Sequence, residues 1–492
     1  MKFAEFKKLA QPGKIVPVFR KLNADFITPV SAYLKLREDG NYSFLLESVI
    51  KGEHLGRYSF IGFNPFRVIS IRGQKTVIKE INSNRYSEEN FFQLLRLQLY
   101  EYESAQIDGL PAFTCGMVGF LGYDMIHHIE ILPNSNFDPV KTEDAKLAAY
   151  HNIVAFDHLK NEVILIANSF VHPESDVTRL YKDSEDRLNQ ILDRLNRRLS
   201  YNGQFKLDSA KSSSNFKQAD FEQAVKKAKD YILSGDIFQV VLSQRFQMDF
   251  SGNPFQIYRT LRNINPSPYM FYLDMVDYQL IGSSPEPLIR SNAQELEIIP
   301  IAGTRPRGIN DEEDKKLAEN LLNDPKELAE HVMLVDLARN DLGRVSEFGS
   351  VKVHEFKTIE RYSHVMHLIS KVKSKLREGI TSVEAFKAAF PAGTVSGAPK
   401  IRAMEIIDEL EPDKRGVYAG AVGYFDFSGN MDLCIAIRMI LAKGQKLFFQ
   451  AGAGIVADSD PEKEYEETVY KAVALKKAII QASEGIHDFI YR

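Results

Sequence analysis

The stretch NIVAFDHLKNEVILIA, from Asn152 to Ala167, indicates the kind of fold this chain adopts. Two runs rich in β-branched and apolar residues, 152–157 and 162–167, flank the four residues 158–161, a pattern that predicts a β-hairpin. Similar strand-like runs occur at 43–50, 58–62, 68–71, 237–246, 269–273, 420–427, 432–442 and 446–451. Because hairpins recur and strands outnumber βαβ units, we expect an α+β fold with large antiparallel sheets.

Helical periodicity predicts helices between these strands. They span 175–200, 219–233, 311–322, 324–340, 382–389, 400–410 and 462–483. Gly235 follows the second of them, and glycine is common just beyond the end of a helix. The polar segment 201–215 predicts a linker. We therefore expect an N-terminal part, 1–200, and a second part, 216–484.

The composition is that of an ordinary globular protein. The chain has 492 residues, with 62 Lys and Arg against 66 Asp and Glu, and this near balance argues against a nucleic-acid-binding protein. Its two cysteines are too few for a disulfide framework, and no apolar stretch approaches the ~20 residues of a membrane span. We expect a cytoplasmic protein with neither a nucleic-acid nor a membrane partner. The chain has 32 Phe and 21 Tyr but no Trp, which genome bias is enough to explain.

Two sets of carboxylates stand out in the predicted helices. Glu327 and Glu330 are three residues apart, as are Glu464 and Glu467, so each pair shares one helix face. A solvated charged face is the commoner reason for such a pair. The second pair, however, follows a glycine-containing loop that leads into a helix start, a favourable place for an anion. Carboxylates from two helices would form an all-oxygen Mg²⁺ site.

Other motifs narrow the chemistry. The segments 300–308 and 391–400 are glycine turns, and the chain has neither a Gly-x-Gly-x-x-Gly nor a Walker A motif, so no dinucleotide or P-loop site is predicted. His367 is either a core residue or an acid–base group. Cys115 and Cys434 lie in apolar strand contexts, which argues against a nucleophilic thiol and hence against a built-in glutaminase. Residue chemistry alone therefore indicates a Mg²⁺-dependent enzyme acting on a small anion.

Taken together, the motifs resemble the chorismate-binding enzymes, and within that family the anthranilate synthase large subunits, component I. The matching stretches are 237–245, 284–286, 300–305, 329–341, 391–394, 418–420, 437–438 and 452–454. The resemblance covers nearly the whole chain and implies large antiparallel sheets in a sandwich with helices outside. It also implies conversion of chorismate and ammonia to anthranilate and pyruvate, the first step of tryptophan biosynthesis.

The resemblance implies a role for each matching residue. The catalytic residues would be Glu286 as general acid, His367 as proton-transfer group, Gln239 and Thr394. Chorismate would be bound by Gly303, Thr304, Tyr418, Arg438, Gly452, Ala453, Gly454 and Lys471. Mg²⁺ would be held by Glu330 and Glu467, with Glu327 and Glu464 in support.

Two positions separate the possible relatives. Gln239 stands where the water-using members carry a lysine base, which favours ammonia as nucleophile. Ala302 stands where aminodeoxychorismate synthases carry a lysine, which favours amination at C2 of the ring. Component I of aminodeoxychorismate synthase remains the alternative, and a catalytically silent tryptophan-binding subunit is a third interpretation.

The resemblance further implies feedback inhibition and a partner. Tryptophan would be bound by Glu47, Ser48, Pro268, Tyr269, Met270, Val422 and Tyr424. A separate glutamine amidotransferase subunit would supply ammonia, in a heterotetramer.

Overall fold

The computed structural model describes residues 1–48, 56–80, 83–201, 203–362 and 365–485. Within these residues the chain forms one 14-stranded and one 12-stranded sheet. Pairing in both sheets is antiparallel apart from one short parallel pair, between Lys14–Ile15 and Glu103–Ser104. The predicted α+β fold with large antiparallel sheets is confirmed.

The strands, in chain order, are β1 (Lys14–Asn23), β2 (Ser43–Glu47), β3 (Tyr58–Phe63), β4 (Arg67–Arg72), β5 (Lys75–Glu80), β6 (Ser83–Ser87), β7 (Glu103–Ser104), β8 (Gly116–Leu121), β9 (Ala145–Ala149), β10 (Asn152–Asp157), β11 (Glu162–Phe170), β12 (Phe205–Leu207), β13 (Ser213–Ser214), β14 (Gln239–Gly252), β15 (Tyr269–Asp274), β16 (Tyr278–Ser284), β17 (Pro287–Asn292), β18 (Glu295–Ile298), β19 (Ile301–Pro306), β20 (Lys352–Arg361), β21 (Val365–Lys375), β22 (Gly397–Ala398), β23 (Ala421–Asp426), β24 (Met431–Ile435), β25 (Met439–Lys443) and β26 (Lys446–Ile455). The larger sheet has the order β12-β14-β26-β25-β16-β15-β2-β3-β10-β11-β1-β7, with β13 and β22 also on β14. The smaller sheet has the order β19-β21-β18-β17-β24-β23-β8-β9-β4-β5-β6, with β20 on β21.

The α-helices are α1 (Phe3–Leu9), α2 (Pro29–Leu36), α3 (Phe91–Leu99), α4 (Val177–Asn196), α5 (Gln218–Leu233), α6 (Phe255–Ile264), α7 (Asp311–Asn323), α8 (Pro325–Gly343), α9 (Ser382–Ala389), α10 (Lys400–Leu410) and α11 (Pro461–Glu484). None of the described helices is long and apolar enough to span a membrane. Short 3₁₀ turns lie at Tyr123–His128 and Gly393–Val395.

The two sheets pack face to face with the helices outside. Along β15, Phe271 and Leu273 lie in a core that contains side chains of both sheets, such as Val118 of β8. The alternate residues Met270 and Tyr272 lie in a second core, shared with α2, α4, α6 and α11. A third core covers the outer face of the smaller sheet and also includes side chains of the larger sheet, such as Val240 and Ala453. This two-residue alternation is what a strand covered on both faces requires.

The hairpin predicted at 152–167 is formed by β10 and β11. Asn152 is paired with Ala167, and Asp157 with Glu162, so the register closes around residues 158–161. The helices predicted at 382–389 and 400–410 have the predicted bounds. The strand predicted at 43–50 is described as far as Glu47, and its residues 49 and 50 lie outside the described part of the chain.

Two predictions of local structure are corrected. The run 432–442 is not one strand, because β24 ends at Ile435 in the smaller sheet and β25 begins at Met439 in the larger one. The chain crosses between the sheets at 436–438, where Arg438 has the left-handed φ of 51° that a continuous strand does not adopt. The apolar pattern continues across this crossing and therefore conceals it.

The predicted linker 201–215 contains two short strands. β12 and β13 both pair with β14, and the ring of Phe205 stacks 5.6 Å from that of Phe250. The segment is therefore held against the edge of the larger sheet. Each sheet also contains strands from both 1–200 and 216–484, as in the pairs β2–β15 and β8–β23. The assignment of separate functions to these two parts stays a prediction.

Candidate active site

Glu286 is placed by a strand end and a turn. It follows β16, its backbone carbonyl accepts from the Ile435 amide at 3.0 Å, and its Oε1 accepts from the Thr394 hydroxyl at 2.9 Å. Burial raises the pKa of Glu286 to about 7, against the lowering effects of Thr394 and Lys471. A carboxyl group with this pKa can donate a proton near neutral pH.

His367 lies on β21, and one of its two ring nitrogens is engaged in hydrogen bonds. Its Nδ1 is 3.1 Å from the Gly303 carbonyl oxygen and 3.0 Å from the Thr304 hydroxyl. Because a carbonyl oxygen only accepts, Nδ1 carries the proton and Nε2 is the basic nitrogen. Burial lowers the pKa of His367, so the ring is neutral and can accept a proton.

Gly303 is a position that only glycine fits. The register between β19 and β21 shifts between Ala302 and Thr304, and Gly303 there has a φ of 60°. A Cβ atom would lie 2.7 Å from Leu321 Cδ1 and 2.9 Å from Glu327 Oε2. The bulge therefore brings the Gly303 backbone against both His367 and the acidic face of α8.

Two helices contribute carboxylates to the site. Glu327 and Glu330 lie on α8, and Glu464 and Glu467 on α11. Burial raises the pKa of Glu330 and of Glu464, and the second carboxylate of each pair raises it further. Lys326 and Lys471 lower the pKa of both glutamates. Lys326, in the first turn of α8, also reaches Asp458 in the loop before α11 at 3.9 Å, so the first turn of α8 lies next to that loop.

The same four carboxylates are the predicted ligands of Mg²⁺. Glu327 accepts from Arg305 at 3.1 Å, and Glu467 pairs with Lys471 at 2.6 Å. Among the described residues, no three His, Cys, Asp or Glu side chains lie close enough to hold a metal ion. The four carboxylates nevertheless suit Mg²⁺, because a divalent cation would offset the burial and the repulsion that raise the pKa of Glu330 and of Glu464.

Glycines of β26 form a flat wall against β14. A Cβ on Gly452 would lie 3.0 Å from the Tyr418 hydroxyl, and a Cβ on Gly454 would lie 2.6 Å from Gln239 Nε2. Ala453, between them, is fully buried in the core on the other face. Gly452 is buried and Gly454 is half-buried, and Tyr418 and Gln239 lie beside this backbone. The side chain of Gln239 also lowers the pKa of Glu330.

Arg438 and Lys471 connect these groups. Arg438 donates to the Lys471 backbone carbonyl at 2.6 Å, and Lys471 Nζ donates to the Gly452 carbonyl at 2.9 Å. Burial lowers the pKa of Arg438, while Tyr418 and Glu467 act in the opposite direction. The charge of Arg438 in turn lowers the pKa of His367. The predicted catalytic, chorismate-binding and metal residues therefore converge on one site.

Some residues of this site were missed at the level of sequence. Arg305 donates hydrogen bonds to Glu327 and Asp324, and Ser459 lowers the pKa of Glu464. Two features of the sequence could have indicated these residues. Arg305 lies inside a matching motif, and Ser459 lies in the loop that leads into α11. Their partners follow only from how the chain folds.

Apart from this site, a cavity of about 440 Å³ lies between the two sheets. All seven residues predicted to bind tryptophan line it: Glu47, Ser48, Pro268, Tyr269, Met270, Val422 and Tyr424. Phe113, which lines it too, has its ring centroid 4.2 Å from that of Tyr424. The cavity is joined to the active site through β24, whose Asp432 and Cys434 line it and whose Ile435 contacts Glu286.

Glu47 and Ser48 offer this cavity different polar groups. Glu47 is buried and accepts hydrogen bonds from Tyr258 at 2.5 Å and from Arg262 at 3.0 and 3.2 Å. Its charge is therefore balanced and its orientation fixed. Ser48 Oγ is buried without a hydrogen-bond partner. A buried hydroxyl in this state can bind a ligand that fills the cavity.

The family follows from the sheets and the site together. A family model described as chorismate binding enzyme matches residues 42–477. The chain belongs to the chorismate-binding enzymes.

Relatives within the family place the chain more narrowly. Anthranilate synthase component 1 of Acetivibrio thermocellus is 48% identical over 490 residues, covering 98% of each chain. That of Aquifex aeolicus (strain VF5) is 46% identical over 485 residues, again covering 98% of each chain. The crystal structure of anthranilate synthase component I from Streptococcus pneumoniae TIGR4 is 38% identical, with a TM-score of 0.77, and covers 93% of this chain and 99% of that chain. The resemblance stated from the sequence is confirmed.

Proposed function

We propose that this chain converts chorismate and ammonia to anthranilate, pyruvate and water, as an anthranilate synthase component I. The observation that carries the proposal is the neutral amide of Gln239, which lies against Gly454 and lowers the pKa of Glu330. An amide has no basic site with which to activate water, whereas ammonia needs no base before it attacks. The near full-length similarity to anthranilate synthase component 1 proteins supports the same conclusion.

The first step is the substitution of the ring hydroxyl. Ammonia forms a bond to C2 while the C4 hydroxyl leaves, and Glu286 gives that hydroxyl a proton so that it departs as water. The new ammonium group then loses its extra proton to the Glu286 carboxylate, which restores the acid. The pKa of about 7 keeps a large fraction of Glu286 protonated at neutral pH. Thr394, which donates to Glu286 Oε1, fixes the carboxyl group in position.

The second step is the elimination of pyruvate. His367 Nε2 accepts the proton from C2, the bond between C3 and the ether oxygen breaks, and the ring becomes aromatic. The Gly303 carbonyl holds the other nitrogen as the N–H, so the basic nitrogen keeps its orientation. The released enolpyruvate takes up a proton and becomes pyruvate.

The substrate's two carboxylates require cationic and N–H groups. We assign this role to Arg438, Lys471 and the backbone of 452–454, with Tyr418, Gly303 and Thr304 lining the site. Arg438 suits a planar carboxylate because its guanidinium donates two parallel hydrogen bonds. Burial raises the pKa of Tyr418 to about 12, so its phenol stays a neutral donor.

Mg²⁺ belongs to the same proposal. Glu330 and Glu467 would hold it, with Glu327 and Glu464 in support. When bound, Mg²⁺ supplies the positive charge that lets a substrate carboxylate lie beside four glutamates.

Aminodeoxychorismate synthase component I is the alternative function. The buried Ala302, on β19, argues against it, because its methyl group cannot form the covalent adduct of a lysine at this position.

Regulation and assembly complete the proposal. Tryptophan would occupy the 440 Å³ cavity and inhibit the reaction. A glutamine amidotransferase subunit would supply ammonia, in a cytoplasmic heterotetramer. Burial raises the pKa of the Cys115 and Cys434 thiols, so neither supplies the thiolate that glutamine hydrolysis requires.

The proposal is tested on the purified chain with chorismate, Mg²⁺ and ammonium, by following anthranilate fluorescence. Anthranilate is expected with ammonium but not with glutamine, and Glu330→Gln and Glu467→Gln should lose Mg²⁺-dependent turnover. Glu466→Gln, an exposed neighbour on α11, is the matched control and should remain active. Formation of aminodeoxychorismate or isochorismate instead of anthranilate would refute the assignment.

A further inference from the structure

A buried ion pair lies behind the active site. Arg415 and Glu411 are 1% and 2% exposed, with Arg415 bonded to both carboxylate oxygens of Glu411, at 2.9 and 2.6 Å. Glu411 Oε1 also accepts from the amide and the hydroxyl of Ser243, both at 2.8 Å. A buried pair of this kind is costly to desolvate and persists only when its remaining donors and acceptors are satisfied.

The remaining donors of Arg415 bind two backbone segments of the site. One terminal nitrogen donates to the Val395 carbonyl at 2.6 Å, and the other to the Val241 carbonyl at 2.7 Å. Val395 ends the 3₁₀ turn that carries Thr394. Val241 lies on β14, directly opposite Gly454 in the register of β26. One guanidinium thus fixes the Thr394 turn relative to the glycine wall.

Arg415 also contacts two aromatic rings. Its guanidinium carbon lies 4.7 Å from the centroid of Tyr123 and 5.9 Å from that of Tyr418. Tyr418 is the ring whose hydroxyl reaches Gly452. The Thr394 turn, the glycine wall and Tyr418 are therefore all linked to Arg415, whose side chain lies outside the site.

We propose that Arg415 is a positioning residue, which holds the Thr394 turn, the Gly452–Gly454 wall and Tyr418 in the arrangement the reaction requires. The proposal rests on the function proposed above. Its direct chemical consequence concerns Glu286, which Arg415 does not touch but whose hydrogen bond from Thr394 depends on the turn that Arg415 holds.

The groups that act on Glu286 are few. Thr394 and Lys471 lower its pKa, and across a small apolar cavity from it lies Asp341, which is paired with Lys400 at 2.9 Å. None of these groups contacts Arg415 directly. A displaced Thr394 turn therefore weakens the hydrogen bond to Glu286 while Lys471 and the Asp341–Lys400 pair stay in place.

The test is Arg415→Lys, because lysine keeps the buried positive charge but lacks the planar fork that reaches Glu411 and both carbonyls at once. We expect kcat for anthranilate formation to fall by about 10- to 100-fold. We also expect the alkaline fall of kcat to move to higher pH, in the same direction as in Thr394→Val. The double variant should show no further movement, because both changes break the same contact.

Arg245→Lys is the matched control. Arg245 is also largely buried and paired with an aspartate, Asp413, at 2.6 Å, but contacts no predicted site residue. It should leave the pH profile unchanged. An unmoved alkaline limb in a folded Arg415→Lys enzyme would overturn the proposal, and if that variant fails to fold, an unmoved limb in Glu411→Gln would do so. A wild-type chain that forms no anthranilate would instead refute the proposed function.

Discussion

At the scale of single residues, the proposed mechanism depends on the proton carried by Glu286. Burial raises its pKa from the usual carboxyl range to about 7, and the Thr394 hydroxyl opposes that rise. The acid form is therefore present below about pH 7 and is lost as the pH increases through the pKa. A step that needs this proton slows on the alkaline side.

Replacing Thr394 with Val removes the hydrogen bond that lowers the pKa of Glu286. The pKa then rises further, so the alkaline fall of kcat should move to higher pH. The measurement is kcat for anthranilate formation from about pH 5 to about pH 9. Glu286→Gln, which has no proton to give, should lower kcat by about 10²- to 10⁴-fold and lose this limb. A limb at the same pH in Thr394→Val would contradict the role of the hydroxyl.

Single residues were predictable where a motif carried them. Glu286 and Thr394 lie in short stretches that match a known family. Arg415 reaches the Val241 carbonyl, 174 residues away, and only folding decides which distant carbonyl an arginine reaches. Sequence spacing contains no such information.

At the scale of elements, β26 shows how one strand serves two purposes. Its alternation turns Gly452 and Gly454 toward the site and buries Ala453 and Ile455 in the core. Because the site-facing positions lack side chains, backbone atoms themselves form this side of the site. A methyl group at either position would occupy that space.

Gly454→Ala should lower kcat/KM for chorismate by about tenfold or more, because the new methyl would lie 2.6 Å from Gln239 Nε2 and displace that amide. Thermal stability should change little, since the displaced atom is the end of a side chain. Gly343→Ala, on α8 with no atom within 4 Å of the added methyl, is the control and should keep full activity. Steady-state kinetics and thermal melts measure both, and unchanged kinetics in Gly454→Ala would argue against the wall.

Elements were predictable when their signals were local. The helices 382–389 and 400–410 have clear periodicity and the structure gives them the predicted bounds. The run 432–442 has one continuous apolar pattern but forms two strands, because each half is buried in a different sheet. Residues that are buried on either side of a crossing are as apolar as residues buried along one strand, so composition alone does not reveal the crossing.

At the scale of the whole molecule, strands that are distant in sequence meet in each sheet. The pairing of β2 with β15 and of β8 with β23 brings residues some 200 to 300 positions apart together around the 440 Å³ cavity. No local pattern predicts such pairings, which is why the convergence of Glu47, Met270 and Val422 came from the family resemblance alone.

Ser48→Phe should abolish inhibition by tryptophan while leaving anthranilate formation intact, because the ring would fill the cavity that Ser48 lines. Anthranilate formation at increasing tryptophan concentration is the measurement. Ser48→Ala, which removes the hydroxyl but keeps the space, is the control and should remain inhibitable. A Phe variant that tryptophan still inhibits fully would show that the inhibitor binds elsewhere.

The aromatic lining of that cavity has a spectroscopic consequence. Tyr58, Tyr269 and Tyr424 line it, and the 492 residues include no tryptophan. An indole bound there would be the sole indole in the complex, within reach of tyrosines that transfer excitation energy to it. Binding of an indole in the cavity would thus be detected as indole fluorescence excited through the tyrosines, without any label on the protein.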